Sequence, residues 1–299
     1  MRILLLGAGG QLGRELGRTL PDLGNVKVCG RADVDLTDKH SIIEAIDAFD
    51  PDVITNAAAY TAVDKAESER DLAFKINAEA VGILANEAVK RDVRFIHYST
   101  DYVFDGSKKG SYVETDPPNP VNVYGASKLA GEKAIIASGC KHLIFRATWV
   151  IGRDGSNFAK TVLRLATERD TLGIVNDQFG VPTAPALIAK VTVAGIAAMA
   201  TSNPWPSGIY HLAPHGETTW HGIARTLLQL AREARVPLAT DGSALHAITT
   251  AEYPTPAKRP LNSLLDTGKL EQQLDFKLPH WKIDFFKVAN EIIEEFKSA

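Results

Sequence analysis

The chain has little of what marks several classes of protein. Among its 299 residues only Cys29 and Cys140 are cysteines, with no close pair of metal-ligand spacing, so both read as reduced and structural. The 33 basic residues against 36 acidic ones leave a formal charge of -3, which gives no electrostatic footprint for nucleic acid or an anionic membrane. No segment approaches the ~18 unbroken apolar residues of a membrane span. The start lacks a basic leader followed by a cleavable apolar region, because its apolar run meets a glycine turn at once. Internal repeats, low-complexity tracts and coiled-coil heptads are also missing. These absences lead to the expectation of a cytoplasmic globular protein without nucleic-acid or membrane partners. Its length suffices for one large α/β unit or two modest domains.

What is present begins at Arg2-Ile3-Leu4-Leu5-Leu6, an apolar run of buried-strand length that ends in Gly7-Ala8-Gly9-Gly10-Gln11-Leu12-Gly13. Glycines at 7, 10 and 13 permit a tight turn, close backbone approach to a pyrophosphate and close helix packing, and the following helix offers its N-terminus to phosphates. Further apolar runs at Val26 to Cys29, Val53 to Asn56, Phe95 to Tyr98 and Leu143 to Arg146 each follow a helix-length segment. That alternation predicts an α/β fold of Rossmann type, a doubly wound parallel sheet with ligand at the carboxyl ends of its strands. Small residues there, Ala57, Ala58 and Ala59, let a cofactor lie against the backbone. Past Trp149 the pattern loosens around two proline clusters. We expect a cofactor-binding domain over 1–150 and a smaller substrate-binding lobe over 151–299, with a segment near 205–250 that returns to the main sheet, Gly208 to Leu212 reading as its strand.

Tyr124-Gly-Ala-Ser-Lys128 carries the chemistry. On a helix, residues four apart are rotated by only about 40°, so phenol and ammonium point at one spot. A nearby cation favours the phenolate and lowers the tyrosine pKa, making Tyr124 a usable general acid toward a carbonyl oxygen. Thr100, at a strand end in Ser99-Thr100-Asp101, can donate a hydrogen bond to the same oxygen, although a threonine there also satisfies β-propensity alone. None of His97, His211 and His215 is assigned to chemistry; all read as structural.

These motifs, together with Ala62-Val-Asp-Lys-Ala-Glu67, Tyr98-Ser-Thr-Asp-Tyr-Val-Phe104, Lys128-Leu-Ala-Gly-Glu132, Asn176-Asp-Gln-Phe-Gly180 and Tyr253-Pro-Thr-Pro-Ala257, resemble the dTDP-4-dehydrorhamnose reductase family of the extended short-chain dehydrogenase/reductase superfamily over nearly the whole chain. The resemblance implies NADPH-dependent reduction of a dTDP-linked 4-keto sugar, with Tyr124, Lys128 and Thr100 catalytic and Lys128 also holding the nicotinamide ribose. Arg31, where Gly30 replaces an acid often found in the family, suits the 2′-phosphate of NADPH, with NADH as the alternative. Asp35 and Leu36 resemble the segment beside the adenine. Thr61, Val63, Asp101, Tyr102, Trp149 and Asn157 fall in stretches that line the family's sugar and nucleotide pocket, and Gln178 and Arg259 are candidates for base and pyrophosphate. Trp149 offers an aromatic face to the sugar, though tryptophans also serve as core.

Rivals on the same scaffold are a 4-epimerase, a 4,6-dehydratase, which needs an acid where Tyr102 stands, and a non-catalytic regulatory subunit like that of methionine adenosyltransferase. Some family members dimerise around magnesium held by three acidic residues. Glu15 and Glu291 stand at two of these places, but Ala186 takes the third. The expectation is therefore no metal, and a monomer or weak homodimer.

Overall fold

The protein is described by a computed structural model over residues 1–202, 204–240 and 242–298. Its strands in chain order are β1 (Arg2–Leu6), β2 (Asn25–Cys29), β3 (Val53–Asn56), β4 (Arg94–Thr100), β5 (His142–Ala147), β6 (Leu172–Val175), β7 (Phe179–Gly180), β8 (Gly208–Leu212), β9 (Thr218–Thr219) and β10 (Leu245–Ile248). Six of them form one parallel sheet in the order β2-β1-β3-β4-β5-β8. The strand order reverses at β1, which lies between β2 and β3, and a crevice opens at the carboxyl ends of strands beside such a reversal. Gly7, Ala57 and Asp101, the residues that follow β1, β3 and β4, are thereby brought to one edge of the sheet.

The helices are α1 (Gln11–Thr19), α2 (Lys39–Phe49), α3 (Val63–Ala66), α4 (Arg70–Phe74), α5 (Ala80–Lys90), α6 (Val123–Ser138), α7 (Phe158–Glu168), α8 (Pro185–Thr201), α9 (Trp220–Glu233), α10 (Gly268–Leu274) and α11 (Trp281–Ser298). Alternation along the strands divides the core. Ile3, Leu5, Ile96 and Phe145 pack with Leu16 of α1 and Ile188 of α8, while Leu4, Leu6, Phe95 and Ile144 pack with Ile42 of α2, Leu84 of α5 and Ile135 of α6. Both faces of the sheet are covered, which explains why its strands read as unbroken apolar runs.

A third core joins α7, α9 and α11 with Trp149, Val181 and Leu265, and forms the lobe beyond the sheet. The segment Gly208–Leu212 returns from this region to pair with β5, from Leu143 against Gly208 to Ala147 against Leu212. β4 runs longer than its apolar stretch, because pairing with β5 continues to Thr100 against Ala147. Polar residues thus extend the strand to the cavity. No helix of the described residues is long and apolar enough to cross a membrane.

Candidate active site

The glycine turn between β1 and α1 is sterically required. Gly7 has φ +91°, and a Cβ there would lie 2.4 Å from the Ala58 nitrogen; a Cβ on Gly13 would lie 1.9 Å from the Gly7 carbonyl oxygen. At Gly9 the same test meets nothing within 4 Å, so the turn is open on its outer side. Helix α1 starts at Gln11 with Gly10 as N-cap, no capping side chain and no acid in its first turn. Its first N–H groups and the positive end of its dipole are therefore left for an anion. This cradle fits a dinucleotide pyrophosphate.

Above it lies a cavity of about 420 Å³ lined by Gly10, Gln11, Leu12, Ala57, Ala58, Ala59, Thr61, Val63, Thr100, Asp101, Tyr102, Tyr124, Lys128 and Trp149. Fourteen sequence-derived candidates from five separate stretches therefore meet in one place. Helix α6 aims Tyr124 and Lys128 into it. Asn122 caps the helix by accepting from the Gly125 N–H at 2.7 Å, and Gly139 ends it in the left-handed conformation at φ +73°.

The electrostatics correct one expectation. Burial raises the Tyr124 phenol to about 12, against a lowering hydrogen bond with Thr100, and Asp101 raises it further. Lys128 does not hydrogen-bond the phenol. Its Nζ donates to the Tyr98 carbonyl at 2.6 Å and lies 3.0 Å from His97 Nε2. Burial lowers its pKa to about 8, with Glu132 opposing. The i,i+4 spacing thus places both groups on one face without pairing them, because strand β4 offers the lysine nearer partners. Asp101 is lifted to about 7, chiefly by burial. Thr100 donates to its Oδ1 at 3.2 Å and accepts from the Tyr102 N–H at 3.1 Å.

A second cavity of about 460 Å³ adjoins the first, and Tyr102 and Trp220 line both. Gln178 and Arg259 belong to its wall with Asp64, Phe158 and Arg169. The Gln178 amide accepts from Trp220 Nε1 at 3.1 Å and donates to Thr250 at 3.0 Å. Arg259 departs from its expected use. Its fork closes on the Asp64 carboxylate, with Nη1 to Oδ1 at 2.6 Å and Nη2 to Oδ2 at 2.8 Å, instead of pointing free toward phosphate.

Trp149 sits just beyond β5 at φ +42°, a conformation costly for a bulky side chain. Its ring stacks on Trp220 with centroids 3.9 Å apart and 20° between planes. Trp220 was not legible as a site residue, since nothing near it in sequence resembles a motif. His97, read as structural, proves to touch Lys128.

Other candidates lie outside both cavity linings. Asn157 caps α7, accepting from Lys160 N–H at 3.1 Å and donating to the Gly152 carbonyl at 2.6 Å, and its amide also donates to Oε1 of the cavity residue Gln11 at 3.2 Å. Arg31 is exposed beyond β2, near Asp35, and Leu36 packs against the sheet core. A cation at that strand end fits the 2′-phosphate of a dinucleotide.

A family model described as RmlD substrate binding domain matches residues 1–294. The dTDP-4-dehydrorhamnose reductase of Escherichia coli strain K12 is 46% identical over 300 residues, covering 98% of this chain and 98% of its own. That of Burkholderia thailandensis is 45% identical over 287 residues, covering 94% of this chain and 96% of its own. Among solved structures, dTDP-4-dehydrorhamnose reductase from Bacillus anthracis str. Ames in complex with NADP aligns with a TM-score of 0.88 at 31% identity, over 97% of this chain and 99% of that one.

Proposed function

The chain belongs to the RmlD family, that of the dTDP-4-dehydrorhamnose reductases, and we propose on that premise that it reduces the 4-keto group of dTDP-4-dehydro-L-rhamnose with NADPH to give dTDP-L-rhamnose. The observation that carries the reading is the meeting of Tyr124, Thr100 and Lys128 in one cavity with the glycine turn.

Gly10, Gln11 and Leu12 would hold the pyrophosphate of NADPH and Arg31 its 2′-phosphate, and the bound cofactor would supply a hydride for the keto carbon. Tyr124 keeps its proton at neutral pH, its phenol standing at about 12, and delivers it to the alkoxide oxygen as negative charge develops there. Thr100, whose one hydroxyl hydrogen otherwise goes to Asp101 Oδ1, turns it to that oxygen. The phenolate left on Tyr124 needs a counter-charge, and Lys128 is the cation on the same face of α6. Tyr102 and the Trp149–Trp220 stack wall the sugar, while Gln178 and Arg259 stand on the nucleotide side.

In this account residues 151–299 are mainly the substrate-binding lobe, built on α7, α9 and α11, while α8 and β8 of that span pack with the main sheet. The protein works in the cytoplasm as a monomer or weak homodimer, without a metal. The test is an assay with purified dTDP-4-dehydro-L-rhamnose: NADPH is consumed and one equivalent of dTDP-L-rhamnose appears. Turnover only with a UDP- or GDP-linked keto sugar would remove the nucleotide assignment and leave a ketoreductase.

A further inference from the structure

At the cavity wall, five residues from Ala58 to Tyr98 form a continuous chain whose hydrogen-bond directions can be worked out from one end. The Ala58 backbone N–H donates to Asn56 Oδ1 at 3.1 Å. That contact orients the Asn56 amide, because the opposite orientation would set its NH₂ against an N–H. Asn56 Nδ2 therefore faces His97, 3.3 Å from Nδ1, and donates to it. With Nδ1 an acceptor, the neutral imidazole carries its hydrogen on Nε2. Nε2 lies 3.0 Å from Lys128 Nζ, which itself donates to the Tyr98 carbonyl at 2.6 Å. An ammonium there would confront the Nε2 hydrogen with another donor. A neutral amine satisfies every link, accepting from His97 and donating to Tyr98. Asn56, His97 and Lys128 are each no more than 1% exposed, so water does not relieve a mismatch.

We propose that His97, oriented by Asn56, is a positioning residue that accepts Lys128 only as the neutral amine, so that taking up a proton releases Lys128 from strand β4 toward Tyr124. The inference rests on the assignment of Lys128 as the phenol's counter-charge. It gives that residue two positions, docked on β4 when neutral and free for the active-site face when charged.

The titratable groups around Lys128 leave this control with His97. Glu132, one turn on along α6, favours the charged amine, but its carboxylate is held by Arg146 of β5, Nη2 to Oε2 at 2.6 Å, and also accepts from Ser99. Tyr124 and Asp101 line the cavity on the other side. Burial disfavours a charge on His97, and Lys128 disfavours it further, so the ring stays neutral. Burial lowers the lysine to about 8, which brings its proton exchange within about a unit of neutral pH.

Asn56→Asp reverses the chain while keeping the acceptor for Ala58. A carboxylate beside Nδ1 moves the ring hydrogen there, leaves Nε2 an acceptor, and welcomes the ammonium. His97→Gln tests the same point differently, since its free amide can turn an oxygen to the amine. The measurement is the pH titration of the Lys128 side chain by NMR on protein labelled at lysine Cε, without ligands, the signal being assigned by its loss in Lys128→Met. Wild-type Lys128 should titrate at least one pH unit below the other lysines, and both variants should raise that midpoint by a unit or more. Asn56→Asp should also lower kcat, because a charged Lys128 then stays docked on β4. An ordinary lysine midpoint in the wild type, or a midpoint unmoved in whichever variant folds, overturns the proposal. A purely structural His97 would lower Tm and leave the midpoint in place. Because the titration needs no substrate, its outcome is independent of the NADPH assay that tests the reductase reading.

Discussion

Asp64 and Arg259 lie 195 residues apart in the chain and close a bidentate ion pair on the nucleotide side of the site. Thr255 and the Ala257 carbonyl also accept from the guanidinium, at 2.8 and 2.7 Å. The pair therefore braces the proline-rich segment against the start of α3 and at the same time fixes a cation on the cavity wall. A carboxylate already in the fork competes with a phosphate for the same donors.

Arg259→Ala should weaken dTDP binding ~10-fold or more, the scale of a lost charge-assisted contact. Asp64→Asn should tighten it at low salt by freeing the fork. The stability cost of either change should stay within about 1 kcal/mol, since the pair is partly solvated. Hydrogen bonding by Arg259 holds the Asp64 carboxyl below its ordinary value of 3.8. The pair's stabilisation is thus complete above that value and disappears as pH falls through the lowered one. Calorimetric titration of dTDP checks this; equal weakening by both variants would make the pair a brace and nothing more.

Tyr124→Phe removes the transferable proton and keeps the ring against Tyr102, whose centroid lies 5.8 Å away. Turnover should fall by ~10² or more with NADPH affinity nearly unchanged, because the lost interaction develops mainly in the transition state. Single-turnover kinetics with a fluorescence measurement of NADPH binding separates the two. Matching losses in both would take the proton-donor role away from Tyr124.

The alkaline limb of kcat should report Lys128 and not the phenol. Lys128 discharges as pH rises through about 8, whereas Tyr124 holds its proton to about 12. Activity should therefore fall above about 8 while the proton donor is still loaded. A profile flat to pH 10 would contradict the need for a charged lysine.

Arg31→Ala should cost NADPH ~1.5–3 kcal/mol of binding and leave NADH nearly unaffected, because only NADPH offers a 2′-phosphate to the guanidinium. Parallel losses for both cofactors would show that Arg31 has no part in the choice.

Glu15, Ala186 and Glu291 line one cavity of about 290 Å³ with Arg18 and Lys287. Arg18 pairs with Glu15 at 3.3 Å and with Asp154 at 2.6 Å, so one glutamate there already has a protein cation. Magnesium favours an octahedral oxygen shell, and Ala186 contributes no side-chain oxygen. Chelator should leave both the light-scattering mass and the activity unchanged. A dimer that dissociates in chelator, with activity falling in step, would refute this.

Much of the site could be read from residues because its chemistry is local in sequence. The glycine turn, the Ala57-Ala-Ala59 strand end and the Tyr124 to Lys128 spacing each announce themselves within a few positions. Long-range pairings could not be read this way. Nothing near Arg259 shows that its fork closes on Asp64, and nothing near Lys128 shows that its amine meets His97 and the Tyr98 carbonyl. Asn157 shows a related ambiguity: a polar residue just ahead of a helix serves equally as cap and as ligand, and only the fold shows that it caps α7 and meets Gln11. Trp220 enters the site because it opens α9 and stacks its ring on Trp149, just beyond β5.

The most direct measurement is the fate of a label. NADPH carrying deuterium on the transferred position of nicotinamide carbon 4, incubated with the protein and dTDP-4-dehydro-L-rhamnose, should yield dTDP-L-rhamnose deuterated at C4 of the sugar, one label for each NADPH oxidised. Sugar interconversion without net NADPH oxidation, or a product free of deuterium, would contradict the account.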